Sequence, residues 1–352
     1  MLLTIIVFVV MLVVLVLTHE FGHFITAKLC KVKVEEFGIG FPPRIWGFKK
    51  GETLYSINAI PIGGFTKLQG EEDPSEPGSL AGKSIPVRLL VLSAGSLLNI
   101  LLPVLLFIIS FMIPHNITME KVMIEDVAAG SPAQAAGIES GDRILMINDT
   151  SVKNRATLSY QIQLHLGKQV SMVVQKPDLT EKTVVVKPRW NPPQGEGATG
   201  VTMASADAMV VSKSQPFWEA IPNGFVHCWE ILVLFRNEVV GWFIRSSAPQ
   251  LAGPVAIAQL TGQVVEAGIS PVLEFAALIS INLGIFNLLP FPGLDGGRLI
   301  FVFVEWARRG KRISPQIEGL VHMIGFFALT ALILIITYFD VSRLIRGESL
   351  LP

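Results

Sequence analysis

Four long apolar stretches divide the chain, and each is long enough to form a membrane-spanning helix. A hydrocarbon core of about 30 Å requires about 20 helical residues, and the backbone amides of a segment in lipid must be paired within that segment. The first stretch carries no charged residue before His19. We therefore predict transmembrane helices at residues 1–30, 87–114, 271–299 and 320–340.

The first of these stretches and a fifth apolar stretch each require a choice between alternatives. The opening stretch lacks the basic start and the small-residue cleavage site of a signal peptide, so we predict a retained helix. The stretch Phe225–Ile244 contains Glu230, Arg236 and Glu238. Because ionisable groups facing lipid are costly, we predict an amphipathic helix in the membrane interface instead.

The segments between the apolar stretches show shorter periodicities. Residues 32–69 alternate apolar and polar positions between glycine and proline turn signals, which predicts β-hairpins. Their edge could pair with an extended substrate, although a simple cytoplasmic hairpin fits the pattern equally well. Glu71–Glu76 is typical of a solvated loop.

The remaining predicted regions are a hairpin region with its loop at 31–86, a β-rich domain at 115–204, a linker at 205–270 that holds the interfacial helix, a cytoplasmic loop at 300–319 and a tail at 341–352.

Composition supports a membrane protein and excludes several other classes. Of the 352 residues, 51% are apolar and only 16% are charged, with a mean hydropathy of +0.55. Soluble proteins carry about 25% charged residues. The apolar content excludes a disordered chain, and the net charge of zero argues against a nucleic-acid-binding surface. Two cysteines, Cys30 and Cys228, are too few for a disulfide framework.

Basic residues predict the orientation of the helices. Short loops rich in lysine and arginine remain in the cytoplasm. We therefore expect the amino terminus, residues 115–270 and the carboxyl terminus to lie outside, with Cys30 and Cys228 on opposite sides. The basic residues in the two short loops are Lys31, Lys33, Arg44, Lys49, Lys50, Lys67 and Lys83 in the first, and Arg308, Arg309, Lys311 and Arg312 in the second.

The region between the second and third helices resembles a PDZ domain. Short β-branched runs alternate with turn signals from Thr118 to Met203. Within it, residues 130–145 read GSPAQAAGIESGDRIL, similar to the SPAxxAGI and GDxI signatures of PDZ domains. The resemblance implies a groove that accepts a peptide or a chain end by strand addition. The alternative is a β-rich spacer without a ligand.

The motif His19-Glu20-Phe21-Gly22-His23 carries the candidate chemistry. Residues four apart share one helix face, so His19 and His23 can bind one ion. Zn²⁺ suits imidazole nitrogens, and three protein ligands leave a position open for water. Zinc lowers the pKa of that water toward about 7, and Glu20 can accept its proton. The alternative is a chance arrangement of polar groups at a helix end, but intramembrane ionisable groups are functional by default.

A third ligand is expected at the same depth. His19 lies about 25 Å along the first helix, near the cytoplasmic side. The third helix runs inward and ends in residues 287–297, NLLPFPGLDGG, which deliver Asp295 to the same face. Pro290 and Pro292 should interrupt the helix there. The alternative role for Asp295 is a helix cap.

Together these motifs resemble the site-2 protease family of zinc-dependent intramembrane proteases, and most closely the bacterial regulator of sigma-E protease type. The resemblance extends to residues 37–43, 59–64 and 251–254. It implies a polytopic α-helical membrane protein with four transmembrane helices, a membrane-associated β-hairpin region and one extracytoplasmic α+β PDZ domain.

The resemblance also implies residue roles. His19, His23 and Asp295 would be ligands of one Zn²⁺ per chain, and Glu20 would be the catalytic base that activates zinc-bound water. Asn287 would lie near the substrate or the oxyanion, and Asn99, in a segment similar to the family's AGPxxN, would be a second polar group there. Ser96 stands where the family commonly has proline. Either asparagine could instead form a hydrogen bond between helices.

The expected function is hydrolysis of peptide bonds in or near transmembrane segments in the bacterial cytoplasmic membrane. The resemblance implies single-span substrates, such as anti-sigma factors or signal peptide remnants, which the PDZ domain would screen. Two other classes fit the sequence less well. A structural zinc site in a membrane scaffold would use four protein ligands, and a metal transporter has no evident use for Glu20 or for a PDZ domain.

Overall fold

The computed structural model describes residues Leu2–Arg245 and Gly253–Gly347. The chain forms two compact units: unit 1 comprises Met1–Ser110 and Leu251–Pro352, and unit 2 comprises Phe111–Gln250. In chain order the elements are α1 Leu2–Leu29, β1 Val34–Lys50, β2 Thr53–Leu68, α2 Ile85–Met112, β3 His115–Val127, α3 Pro132–Ala135, β4 Arg143–Ile147, β5 Thr150–Ser151, α4 Arg155–Leu164, β6 Val170–Gln175, β7 Glu181–Val186, β8 Val201–Lys213, α5 Phe217–Arg245, α6 Pro254–Ala267, α7 Ile269–Leu288, α8 Asp295–Ala307 and α9 Pro315–Ile345.

Four of the described helices, α1, α2, α7 and α9, are long and apolar enough to cross a membrane. They correspond to the four stretches predicted from the sequence. Most of their large apolar side chains outside the helix contacts are exposed in the protein, as expected for surfaces that face lipid. The prediction of a polytopic helical membrane protein is confirmed at this level.

The prediction for residues 271–319 is wrong in one respect. We predicted a single transmembrane segment at 271–299, interrupted at its two prolines, and a loop without helix at 300–319. Instead α7 ends at Leu288, the segment 289–294 is not helical, and α8 begins at Asp295. Pro290 and Pro292 end the helix as predicted, because proline has no N–H to donate. Asp295 lies in the first turn of a new helix, a position that favours an acidic residue.

In its described residues, the predicted linker at 205–270 contains two helices, α5 and α6, where we predicted one. α6 was not predicted, and it contacts α1, α7 and α9. The backbone N–H of Ala256, in the first turn of α6, donates a hydrogen bond to the side chain of Asp340 on α9 at 3.2 Å. α5 includes the predicted interfacial stretch 225–244, and its position in the interface stays a prediction. Of the family-like segment 251–254, residues 251 and 252 lie outside the described residues.

β1 and β2 form an antiparallel hairpin, as the alternating pattern predicted. Residues 36–39 pair on one side with 54–57 and on the other with 64–67, because β2 folds back along β1. The segment 64–68 is therefore an outer segment of this sheet. It lies along α1, where the hydroxyl of Thr66 donates to the backbone carbonyl of Glu20 at 2.9 Å.

Unit 2 is a sheet with the strand order β7-β6-β4-β3-β8, and β5 pairs with β4. The sequence explains its turns. Ser131 accepts a hydrogen bond from Gln134 N–H at the start of α3, and Asn154 caps α4 in the same way. Asp142 is fully buried, and its carboxylate accepts hydrogen bonds from Glu139 N–H and the Lys176 ammonium. The last strand extends to Lys213, nine residues beyond the predicted boundary at 204. The assignment of a PDZ domain stays a prediction.

The core of unit 2 lies between the sheet and α4 and consists of aliphatic side chains, among them Ile144, Ile147, Leu158 and Val186. Adjacent residues of β7 alternate between core and solvent. Val186 is 1% exposed, whereas Val185 is 56% exposed. The strand period of two therefore decides which valine stabilises the unit.

We expect Val186→Ala to lower the free energy of unfolding of unit 2 by about 1.5–3 kcal/mol, because it removes buried apolar surface and leaves a cavity. Val185→Ala is the matched control and should change little. Thermal denaturation of the full chain, with unfolding detected by limited proteolysis within residues 111–250, measures the difference. Equal effects of the two substitutions would contradict this assignment of the core.

Candidate metal centre

Two histidines of α1 and one aspartate of α8 meet inside unit 1. The Nε2 atoms of His19 and His23 lie 3.0 and 3.1 Å from Oδ2 of Asp295, and 3.2 Å from each other. One ligand atom from each of the three residues lies within 4.8 Å of the others. Both histidines are buried. The structure thus brings together the three residues that the sequence predicted as metal ligands.

The orientation of His23 suits a metal ligand. Its Nδ1 lies 2.8 Å from the backbone carbonyl of Val91 on α2. Since a carbonyl only accepts, Nδ1 must carry the proton, and the Nε2 lone pair is then directed at the cluster. Metal-binding histidines usually show such a second hydrogen bond. Two imidazole nitrogens and one carboxylate oxygen form a donor set that fits Zn²⁺.

Glycines let α1 and α2 approach closely beside the histidines. A Cβ atom added at Gly22 would lie 2.5 Å from the carbonyl oxygen of Ala94. A Cβ atom added at Gly95 would lie 2.4 Å from Nε2 of His23. Neither distance is sterically allowed, so a larger residue at either position would separate the helices or move the imidazole. The HEFGH motif therefore requires Gly22, its fourth residue, for packing.

A tight turn places Asp295 at the start of α8. A Cβ atom at Gly296 would lie 2.1 Å from the carbonyl oxygen of Leu289, and one at Gly297 would lie 2.4 Å from that of Phe291. Gly293 has a φ of +94°, which favours glycine. The two glycines after Asp295 therefore allow the chain to fold back on the end of α7.

The fourth membrane helix packs against the same turn. On α9, a Cβ atom at Gly325 would lie 2.0 Å from the carbonyl oxygen of Pro292. One helical turn earlier, Nδ1 of His322 accepts a hydrogen bond from the backbone N–H of Gly293 at 3.1 Å. α9 therefore supports the turn that carries Asp295, a contact that no sequence motif indicated.

The other end of α8 is held by charged groups. Glu305 accepts hydrogen bonds from Arg88 on α2 and from Arg312. Burial alone would raise the pKa of the Glu305 carboxyl, but these hydrogen bonds and charges outweigh it, so the pKa is lowered. Arg312 also donates to the backbone carbonyl of Ala81. These contacts join α8 to α2 and to the segment after the hairpin.

A cavity of about 550 Å³ opens beside the three donor groups. Glu20 lines it together with the edge segment of β2 and the turn before α8. Glu71 also lines it and pairs with Arg298, so the acidic stretch predicted as a solvated loop contributes one residue to the cavity wall. The residues that line the cavity are Glu20, His23, Phe65, Thr66, Lys67, Leu68, Glu71, Leu92, Gly293, Leu294, Asp295, Arg298, His322, Met323 and Phe326.

The two predicted asparagines do not line this cavity within the described ranges. Asn99 is fully buried on α2, and neither polar atom of its side chain has a hydrogen-bond partner among the described residues. Its backbone carbonyl accepts a hydrogen bond from Ser280 on α7 at 2.7 Å. Asn287 is half-buried near the end of α7. Their roles at the substrate or the oxyanion stay predictions.

This chain is similar to known proteins over most of its length. The sequence profile described as "Peptidase family M50" matches residues 7–332. A protein of Clostridium acetobutylicum, named provisionally as a zinc metalloprotease, is 35% identical over 329 residues, which cover 93% of this chain and 94% of that protein. The zinc metalloprotease RasP of Geobacillus kaustophilus is 30% identical over 424 residues, covering 97% of this chain and 98% of RasP. RasP of Oceanobacillus iheyensis is 29% identical over 432 residues, covering 97% and 99%.

The family match includes every segment that contributes to the metal centre, from α1 to the first turns of α9. The similarity to these relatives extends over nearly the whole length of each chain. With its four candidate membrane helices, this chain is a polytopic membrane protein that belongs to peptidase family M50, the site-2 protease family.

Proposed function

We propose that this member of family M50 is a zinc-dependent endopeptidase that hydrolyses peptide bonds in or near transmembrane segments. The observation that carries the proposal is the convergence of His19, His23 and Asp295 beside a cavity that Glu20 lines. Two of these groups lie on a helix apolar enough to cross the membrane. Chemistry at this position would act on a chain within the lipid layer.

Zinc is the cofactor of this enzyme. The matching relatives are named as zinc metalloproteases, and the donor atoms of His19, His23 and Asp295 suit this ion. When bound, zinc polarises a carbonyl and lowers the pKa of water. A structural zinc site normally has four protein ligands, whereas the cluster found among the described residues has three, which favours a catalytic ion.

Glu20 is the proposed general base. It follows His19 on α1 and lines the cavity, and its backbone carbonyl is held by Thr66 at 2.9 Å. Its carboxylate would remove a proton from the water that attacks the scissile carbonyl. It would then return the proton to the leaving amine, as general acid–base catalysis requires.

The edge of the hairpin is the proposed site for the substrate backbone. A helical substrate keeps its carbonyls in intrachain hydrogen bonds, so the segment to be cut must unwind. Residues 65–68 line the cavity and lie in the outer segment of the β1–β2 sheet. An extended substrate could pair with this segment by strand addition, which would stabilise the unwound form beside Glu20.

Unit 2 is the proposed substrate filter. We propose that it is a PDZ domain that binds a chain end or excludes bulky ectodomains, on the resemblance of residues 130–145. The proposed substrates are single-span membrane proteins such as truncated anti-sigma factors or signal peptide remnants. The proposed location is the bacterial cytoplasmic membrane, with the amino terminus, unit 2 and the carboxyl terminus outside, on the distribution of basic loop residues.

We expect Glu20→Gln to lower the rate of cleavage of a single-span reporter by roughly 10²- to 10⁴-fold, because the base is lost. Bound zinc, measured by elemental analysis of the purified protein, should not change. Glu52→Gln, at an exposed position of the hairpin turn, is the control. Full cleavage by the Glu20 variant would refute the protease assignment, and zinc flux into sealed vesicles would favour a transporter.

We expect Gly95→Ala to weaken zinc binding by about tenfold or more. Disturbing the residues that support a metal ligand typically lowers metal affinity 10- to 100-fold. The added methyl group would lie 2.4 Å from Nε2 of His23. Competition with a zinc chelator measures the effect. In Gly197→Ala, the matched control, the methyl group has no atom within 4 Å, and zinc binding should equal that of the wild type. Unchanged zinc affinity in the Gly95 variant would contradict the proposal that close packing at Gly95 positions the His23 imidazole for the ion.

We expect the exposed positions 181 and 76 to lie on opposite sides of the membrane. In a chain with both native cysteines replaced by serine, Glu181→Cys should react with a membrane-impermeant thiol reagent in intact cells. Glu76→Cys should react only after the cells are permeabilised. The reverse pattern would invert the proposed orientation.

A further inference from the structure

The imidazole of His322 lies in the wall of the cavity. His322 is on α9, the last of the four membrane helices, whereas the HEFGH motif is on α1, the first. His322 lines the cavity together with Glu20, His23 and Asp295. It is 9% exposed, and its ring packs against Phe301 with a centroid distance of 5.4 Å. The ring is therefore held in one position beside the proposed catalytic groups.

Its hydrogen bonds identify which nitrogen carries the proton. Nδ1 accepts a hydrogen bond from the backbone N–H of Gly293 at 3.1 Å. An accepting Nδ1 is unprotonated, so in the neutral imidazole the proton is on Nε2. Nε2 is buried and has no hydrogen-bond partner in the described part of the chain. His322 thus presents a buried N–H group that lacks an acceptor, and such groups are rare in folded proteins.

Within the described ranges, the cationic side chains of the cavity wall already have hydrogen-bonded partners, unlike the Nε2–H of His322. Arg298 pairs with Glu71, and Lys67 pairs with Glu35 at 2.7 Å. Among the described side chains, those two cations already have carboxylate partners, whereas the Nε2–H of His322 has none. Nε2 is covered by neighbouring atoms, so an acceptor that enters the cavity and moves them aside would remove this unfavourable state.

We propose that His322 binds the substrate by donating a hydrogen bond from Nε2–H to a main-chain carbonyl oxygen of the unwound segment. This inference rests on the proposed function, because unwinding is what frees substrate carbonyls from their intrachain hydrogen bonds. The same imidazole joins α9 to the turn before Asp295. It therefore links substrate binding to the element that carries the third ligand.

Two substitutions separate the two nitrogens of the ring. In His322→Asn the side-chain oxygen takes the place of Nδ1 and can still accept from Gly293 N–H, but the donor at Nε2 is lost. In His322→Gln the amide nitrogen reaches the place of Nε2 and keeps a donor there. A purely structural role at the turn predicts that asparagine is the better replacement, and a substrate-binding role predicts that glutamine is.

The experiment uses the full-length chain in liposomes with a single-span reporter substrate. We expect His322→Asn to lower kcat/KM by roughly tenfold, as the loss of one hydrogen bond to a buried group implies, mainly through KM. Zinc content and thermal stability should stay as in the wild type. His322→Gln should retain kcat/KM within about threefold. Unchanged kcat/KM in the asparagine variant would overturn the inference, as would equal losses in both variants.

Substrate binding without cleavage gives a second measurement. In chains that carry Glu20→Gln, adding His322→Asn should weaken binding of the reporter by roughly tenfold, and adding His322→Gln should not. Equal affinities in all three chains would overturn the inference. Failure of the wild type to cleave any single-span substrate would count against the proposed function. If the wild type cleaves the substrate and His322→Asn cleaves it equally well, only this inference is overturned.

Discussion

Two imidazoles and one carboxylate share a few ångströms of space among apolar helices, and much of unit 1 is arranged to hold them there. The histidines come from α1 and the carboxylate from the first turn of α8, 272 residues beyond His23 in the chain. Polar groups at this depth are costly unless they are paired. Their mutual contacts, and the ion that their donor set fits, offset that cost.

Close backbone contact makes this arrangement possible. Gly22 and Gly95 let α1 and α2 approach until a methyl group would not fit between them, and Gly296, Gly297 and Gly325 do the same for the turn before α8. Small residues at membrane helix contacts are usually explained by van der Waals packing alone. Here they also set the position of His23 and Asp295, so packing and chemistry depend on the same glycines.

The cavity joins three kinds of element: a membrane helix, the edge of a β-hairpin and a turn between two helices. The hairpin lies along α1 and is tied to it where Thr66 donates to Glu20. A sheet edge beside an ion site suits an extended chain better than a helix. This combination is what a peptidase that works within lipid requires.

The sequence alone determined the four membrane helices, the hairpin, the break at Pro290 and the three candidate ligands, because these depend on local periodicity, proline chemistry and the spacing of His19 and His23. Contacts between distant segments left no such local signal. Only the tertiary structure decided that the chain becomes helical again at Asp295, that α6 fills part of the predicted linker, and that His322 reaches the cavity. Those features depend on which residues contact one another across α1, α2, α8 and α9. Local patterns in a single sequence do not reveal such contacts between distant segments.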